Sequence, residues 1–310
     1  MTRILEAKFE KIPVIRNIVS FTKGISLPWL SGLSFYDLLE LYIIGIAQGA
    51  ISYRAASVAW SFFMALFPFA LFILNLIPYI PIQNFQQDFL QFVEESVPPN
   101  TYDAIANIIN DILNNSHSGL LSWGIVLAIL LMANGLNAIL GGFETSKHVI
   151  IKRGFFRQYA VSIGMSLLLS FILIITIASI VVFEVFIQKT KIQDVLSDNI
   201  PLLLMGRYAF VISMILIGVS ILFKFGTKRE KERSFISIGS VFTTILVIIS
   251  SYFFGIWVVK FSKYNELYGS IGTLLIMMFY IWINCMILLL GFELNGTINK
   301  LKRKTHRNIQ

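Results

Sequence analysis

The chain has 310 residues, 56% of them hydrophobic and 14% charged, with a formal net charge of +8 and a mean hydropathy of +0.76. Soluble domains run at roughly 45–50% apolar and about 25% charged, so a water-soluble globular class is excluded. One cysteine, Cys285, and three scattered histidines, His117, His148 and His306, exclude an intramolecular disulfide and a cysteine-built zinc cluster.

From the N-terminus, MTRILEAKFEKIPVIRNIV mixes charged with apolar residues, so no cleaved leader is expected. Phe35 to Ile51 is apolar but contains Asp37, Glu40, Gly45, Gln48 and Gly49. It reads as an amphipathic helix on the membrane surface, with a re-entrant or spanning segment as the alternative.

Six stronger runs follow: about Ser57 to Ile80, Leu120 to Phe143, Ala160 to Ile187, Ile200 to Phe223, Phe235 to Val259 and Ile271 to Phe292. Each meets the roughly 20 residues that a helix needs to cross a bilayer core. The expected fold is therefore all-α, a polytopic membrane helix bundle with six transmembrane helices, an N-terminal amphipathic helix and an extracytoplasmic helical hairpin. The expected division is a cytoplasmic region over 1–56, a transmembrane domain over 57–298 and a basic tail over 299–310.

Most of the 25 basic residues fall before the first run, between the second and third, between the fourth and fifth, and in the tail. Cytoplasmic segments retain Lys and Arg, so both termini are expected inside. Residues 81–119 contain no Lys or Arg but carry Asp88, Glu94, Glu95, Asp103 and Asp111, and are expected outside. There, Phe85, Phe89, Phe92 and Val93, then Ile105, Ile108, Ile109 and Ile112, recur at helical spacing around Pro98 and Pro99. They form the expected hairpin, which lies on the outer leaflet or acts as a lid.

Within the runs, Pro68 removes a helix hydrogen bond and predicts a kink; packing or an alternating-access hinge would account for it. Asn134, Asn137 and Gly141 share one helical face, and Asn284, Gly291 and Asn295 stand in a similar relation. Asparagine in lipid is costly without a partner, so both faces are expected to point inward, either for adhesion between helices or along a polar substrate path. Charges at or inside the boundaries are Arg54, Glu144, Glu184, Arg207 and Glu293, and such charges are functional candidates. Arg54 and Glu293 fall at the same inner boundary and are expected to pair; Glu184 and Arg207 are expected partners nearer the outside.

Two stretches, Arg54-Ala55-Ala56-Ser57 through Ala65-Leu66-Phe67-Pro68, and Tyr268-Gly269-Ser270-Ile271-Gly272 followed by Leu288-Leu289-Leu290-Gly291-Phe292-Glu293-Leu294, carry a resemblance. The chain resembles the YihY/BrkB family of bacterial inner-membrane proteins, formerly mislabelled ribonuclease BN. Phe292 departs from the family's usual Ala, and Tyr280-Ile281-Trp282 inverts its Trp-x-Tyr order, so packing around Glu293 is expected to differ. The resemblance implies a multi-pass plasma-membrane protein of unestablished biochemistry, with Tyr268, Gly269, Ser270, Gly272, Gly291 and Glu293 as its motif positions.

No catalytic constellation is readable. Metal-assisted phosphodiester cleavage needs clustered His, Asp or Glu ligands, and base stacking needs aromatics among the basic loops. Neither pattern is present in the sequence, so no enzyme activity, cofactor, metal site or nucleic-acid partner is expected. The expected partners are membrane lipids, and a homo-oligomer stays open. The leading reading is a transporter or lipid-translocating protein of unknown substrate, and its rival is a structural or scaffold membrane protein.

Overall fold

The computed structural model describes residues 50–76, 118–146, 149, 153–189, 200–228, 234–261 and 270–307, with isolated positions between 23 and 40 and between 87 and 91. These form six helices: α1 Ala50–Leu76, α2 Ser118–Glu144, α3 Phe155–Lys189, α4 Ile200–Phe225, α5 Ile238–Phe261 and α6 Ser270–Arg307. The protein is all-α. The 35–51 segment and the 81–119 hairpin lie almost wholly outside the described residues.

Stretches of 19 to 28 residues in α2 to α6 are long and apolar enough to cross a membrane. α1 has 27 residues, and its described part includes Arg54. It begins at Ala50, seven residues before the expected start of the first run, so Arg54 belongs to the helix and not to a preceding loop. α6 likewise continues past its apolar run to Arg307, through what composition marks as a basic tail.

Large apolar side chains stay exposed on the outer faces of these helices, as expected where lipid replaces water around a bundle. Leu127, Phe171, Ile245, Phe253 and Leu275 are exposed large hydrophobics. Half of the spanning stretch of α2 is buried in the protein but only 11% of that of α5, so α2 is central and α5 lies at the rim. The core joins Ala55, Val58 and Phe63 of α1 to Leu136, Leu140 and Phe143 of α2, with Leu222 and Phe223 of α4 and Leu289 and Phe292 of α6.

Small residues set the closest crossings. A methyl on Gly135 would meet the Ala65 side chain and the Ser61 carbonyl, and one on Gly291 would collide with Thr243 Oγ1 and the Gly239 carbonyl. α1 therefore lies tight against α2, and α5 against α6, as small side chains allow within membranes. Pro68 sits inside α1, which is helical on both sides of it. Pro201, in the first turn of α4, occupies a place where the missing N–H costs nothing.

Phe292, the departure from the family signature, is 2% exposed. Its ring stacks on Phe143 with centroids 4.3 Å apart, and Phe223 meets both rings edge-on at 5.7 and 5.8 Å. This aromatic cluster lies directly beside Glu293 in sequence and binds α2, α4 and α6 at one end of the bundle.

Candidate functional site

The same end gathers the N-terminal part of α1, the C-termini of α2 and α4, the N-termini of α3 and α5, and the C-terminal half of α6. A helix C-terminus presents carbonyls without intrahelical partners and a partial negative charge; an N-terminus presents the reverse. The polar side chains here answer those needs.

Arg54 Nη1 donates to Glu293 Oε1 at 2.8 Å, and Nη2 donates to the carbonyl of Gly142 in the last turn of α2. Ser146 Oγ, just after α2, donates to the other carboxylate oxygen of Glu293 at 2.8 Å. One carboxylate thus receives donors from two separate segments, and one guanidinium joins three helices. The pair is mostly covered, with side-chain exposures of 16% for Arg54 and 20% for Glu293. The expected pairing of these two residues is present.

A second arginine does the same for α4. Arg153 Nη1 donates to the Gly226 carbonyl at 2.9 Å, and Nη2 donates to those of Phe225 and Thr227 at 2.7 and 2.8 Å. Burial holds its guanidinium below the ordinary arginine range, opposed by Glu144, yet it stays a cation because arginine does not lose its proton in proteins. The backbone N–H of Arg153 donates to Glu144 Oε1 at 3.3 Å. With donors set against acceptors, the Gln158 amide donates to both Glu144 oxygens at 2.8 and 3.3 Å. Glu144 is 7% exposed.

At the start of α5, Ser237 and Ser240 exchange hydrogen bonds as a capping box: Ser240 N donates to Ser237 Oγ at 3.1 Å, and Ser237 N donates to Ser240 Oγ at 2.9 Å. Asn295 of α6 adds to it. Its Oδ1 accepts from Gly239 N at 2.8 Å and its Nδ2 donates to Ser237 Oγ at 2.7 Å. Asn295 therefore caps a neighbouring helix across the Gly239–Gly291 crossing.

Of the asparagines expected to point inward, Asn295 does so and Asn134 needs correction. Asn134 is exposed, because the apolar stripe that packs on α1 runs through Gly135 and Leu136 and turns Asn134 away. Asn284 is half-buried, but its Nδ2 donates to the Tyr280 carbonyl one turn back at 2.9 Å, so its own helix satisfies it. The polar bridge between α5 and α6 at that level is Tyr280 Oη with Ser251 Oγ at 2.6 Å.

Arg207 is half-buried on α4, its guanidinium 5.5 Å from the Tyr208 ring centre. The side chain of Glu184 lies outside the described residues, as do Tyr268 and Gly269. Gly272 is buried in the first turns of α6. Ser146, Arg153 and Gln158 are the members of the network that residue patterns alone do not single out, since their partners are backbone carbonyls or another segment's carboxylate. Only the Ser237-x-x-Ser240 spacing carried a readable signal, that of a cap. Among the described residues, no three His, Cys, Asp or Glu side chains converge as metal ligands.

Apolar helices of bilayer length, lipid-facing hydrophobic surface and polar groups gathered at one end define a multi-pass α-helical membrane protein. The family described as Virulence factor BrkB matches residues 44–310, and the chain belongs to it. A relative from Bacillus subtilis (strain 168), YfkH, named ribonuclease-like, is 29% identical over 257 residues, 82% of this chain and 92% of the relative. A UPF0761 membrane protein of Coxiella burnetii (strain Dugway 5J108-111) is 25% identical over 80% of this chain and 87% of its own length. Another, from Aggregatibacter aphrophilus (strain NJ8700), is 20% identical over 85% and 92%. No solved structure matches.

Proposed function

We propose that this chain is a transporter or lipid-translocating protein of the bacterial plasma membrane, with six spans, both termini in the cytoplasm and the 81–119 hairpin outside. The observation that carries the reading is the Arg54–Glu293 pair, held at 2.8 Å where α1, α2 and α6 meet. A buried ion pair is a poor way to gain stability, because apolar residues of similar volume often do as well or better. A charge pair kept at a junction of three helices, still partly open to solvent, suits a latch that a polar headgroup or solute could open. Pro68, further along the same α1, is the hinge candidate of this scheme. The proposal assigns no catalysis, cofactor or nucleic acid to the chain; the ribonuclease-like description belongs to the relative that carries it.

The test is reconstitution into liposomes with fluorescent phospholipids, where leaflet exchange is expected above the rate of empty liposomes and is expected to change in Arg54→Gln. Exchange no faster than in empty liposomes, with no flux of small anions either, would refute transport.

A second reading, a scaffold without transport, draws on the α5–α6 crossing. There Asn295 is used up as a cap and Gly291 leaves no room for a methyl, so at least that polar group serves adhesion between helices.

A further inference from the structure

We propose that the lipid-side face of α2 is the contact between two copies of this chain, with Asn134 at its centre. Leu127, Leu131, Asn134, Ala138 and Gly141 follow one another at steps of four and three residues. Such steps hold residues on one stripe of a helix, the spacing of a seam between two helices. The first three are exposed and the last two half-buried, so α1 and α3 leave the stripe open.

Lipid suits the leucines of this stripe but not the asparagine. Asn134 lies ten residues before the Glu144 end of α2, about 15 Å at 1.5 Å per residue and so about half of a hydrocarbon core of about 30 Å. Headgroups do not reach that depth, and acyl chains neither donate nor accept a hydrogen bond. An amide there calls for a polar group from another helix.

Its own helix does not supply one. Asn284 of α6 is satisfied by donating to the Tyr280 carbonyl one turn back at 2.9 Å. The matching carbonyl for Asn134 is that of Leu130, which serves the helix ladder of α2 and also accepts from Tyr159 Oη of α3 at 3.1 Å. A carbonyl has two lone pairs, and both are taken. The Asn134 side chain makes no hydrogen bond among the described residues.

Gly141 points the same way. A methyl on Gly142 would press on Val58 and Leu289 at 3.1 and 3.2 Å, whereas one on Gly141 would meet only the Gln158 amide at 3.9 Å, an ordinary contact. The bundle itself therefore does not require glycine at 141. A second helix lying along Ala138 and Gly141 does benefit, because small residues let backbones approach closely.

The occupant is a second copy because the face is self-complementary. An asparagine side chain carries both donor and acceptor, so about a two-fold axis each Asn134 donates from Nδ2 to Oδ1 of the other, and the pair of bonds closes without a further partner. No residue of the stripe is charged, so nothing on it repels its own copy. None belongs to the Arg54–Glu293 pair, and the contact stands whether or not the chain transports.

Disulfide trapping of the full chain in membranes tests the contact. In a Cys285→Ala background, which removes the one native cysteine, Leu131→Cys on the stripe is compared with Phe171→Cys on α3, whose native side chain is also exposed. Oxidation with copper phenanthroline is expected to give a covalent dimer at 131 and little at 171, and adding Asn134→Leu is expected to lower the trapped fraction. Sedimentation equilibrium in detergent is expected to show dimerisation about tenfold weaker in Asn134→Leu, the scale of an interhelical polar contact in model peptides. Asn134→Gln, which keeps an amide, is expected to stay near the wild type. Because the side chain is exposed, the melting temperature of the Asn134→Leu monomer should be unchanged, which separates a lost contact from a lost fold. Should Cys285→Ala fail to fold, the sedimentation series on the native cysteine background carries the test. Trapping at 171 as strong as at 131, a dimer unmoved by Asn134→Leu, or a chain monomeric in both measurements overturns the contact. Trapping at 131 to a protein of another mass would overturn the pairing of copies and give the face to that partner.

Discussion

Arg54 holds Glu293 at 2.8 Å with one terminal nitrogen while the other closes the last turn of α2 at Gly142. The two bonds are coupled, because they orient one rigid guanidinium. A neutral residue at 293 leaves Arg54 with a helix C-terminus, where a cation is still stabilised. A cation at 293 sets two like charges side by side in a partly desolvated place. Glu293→Lys is therefore expected to lower accumulation in the membrane well below Glu293→Gln, since breaking a buried pair costs about 3–5 kcal/mol even before repulsion is added. Quantitative blotting of membrane fractions checks it, and equal accumulation of the two variants would remove the pair from the account of stability.

Arg153 joins the α2–α3 junction to the end of α4 through backbone carbonyls alone. Lysine can reach one or two of these but lacks the planar fork that serves three. Arg153→Lys is expected to lower the melting temperature in detergent by a few degrees and Arg153→Ala by more, each lost bond to a charged donor being worth roughly 1.5–3 kcal/mol. If alanine and lysine melt alike at the wild-type temperature, the cap contributes nothing.

The α5–α6 crossing allows a sharper test. Gly291→Ala puts a methyl onto Thr243 Oγ1 and the Gly239 carbonyl, and overpacking of this kind costs about 1–3 kcal/mol. The buried Thr243 Oγ1 has no hydrogen-bond partner among the described residues, so Thr243→Ala removes both an obstacle and an unsatisfied hydroxyl. The double variant Gly291→Ala/Thr243→Ala is expected to recover part of the stability lost in Gly291→Ala. Strictly additive effects in a double-mutant cycle would show that the two positions do not press on each other.

Much of this architecture is legible in residue order because lipid imposes length and composition on a helix. The Arg54–Glu293 pair is legible for a related reason, as two opposite charges at one boundary need each other. The start of α1 is misplaced by the same logic: Arg54 reads as a boundary charge ahead of the apolar run, yet Glu293 and the Gly142 carbonyl make it tolerable inside the helix. Arg153 is invisible as a cap because its partners are main-chain oxygens, which any sequence supplies. Asn134 and Asn137 are about 60° apart around α2, by 100° per residue, and the packed face ends between them. Spacing alone does not locate that edge.

The orientation proposed above is open to direct measurement. Arg54 and Arg153 gather at one end of the bundle, and in sequence further Lys and Arg flank the ends of α2 and α4 there. Basic segments stay in the cytoplasm, so reporters inserted near Glu230 or fused after Gln310 are expected to report cytoplasm. One near Asn100 is expected to report the outside. The fate of α1 needs a separate reporter. Its 27 residues give a length of about 40 Å at 1.5 Å per residue, enough for a hydrocarbon core of about 30 Å. Arg54, near its beginning, bonds to the end of α2, so α1 starts at the basic end and must leave it. A reporter fused before Met1 should then report cytoplasm. A signal from the outside at that position, with the other three as expected, would mean either that α1 does not span, leaving five crossings, or that the 35–51 segment spans as well, giving seven; a cytoplasmic signal near Asn100 would overturn the orientation as a whole.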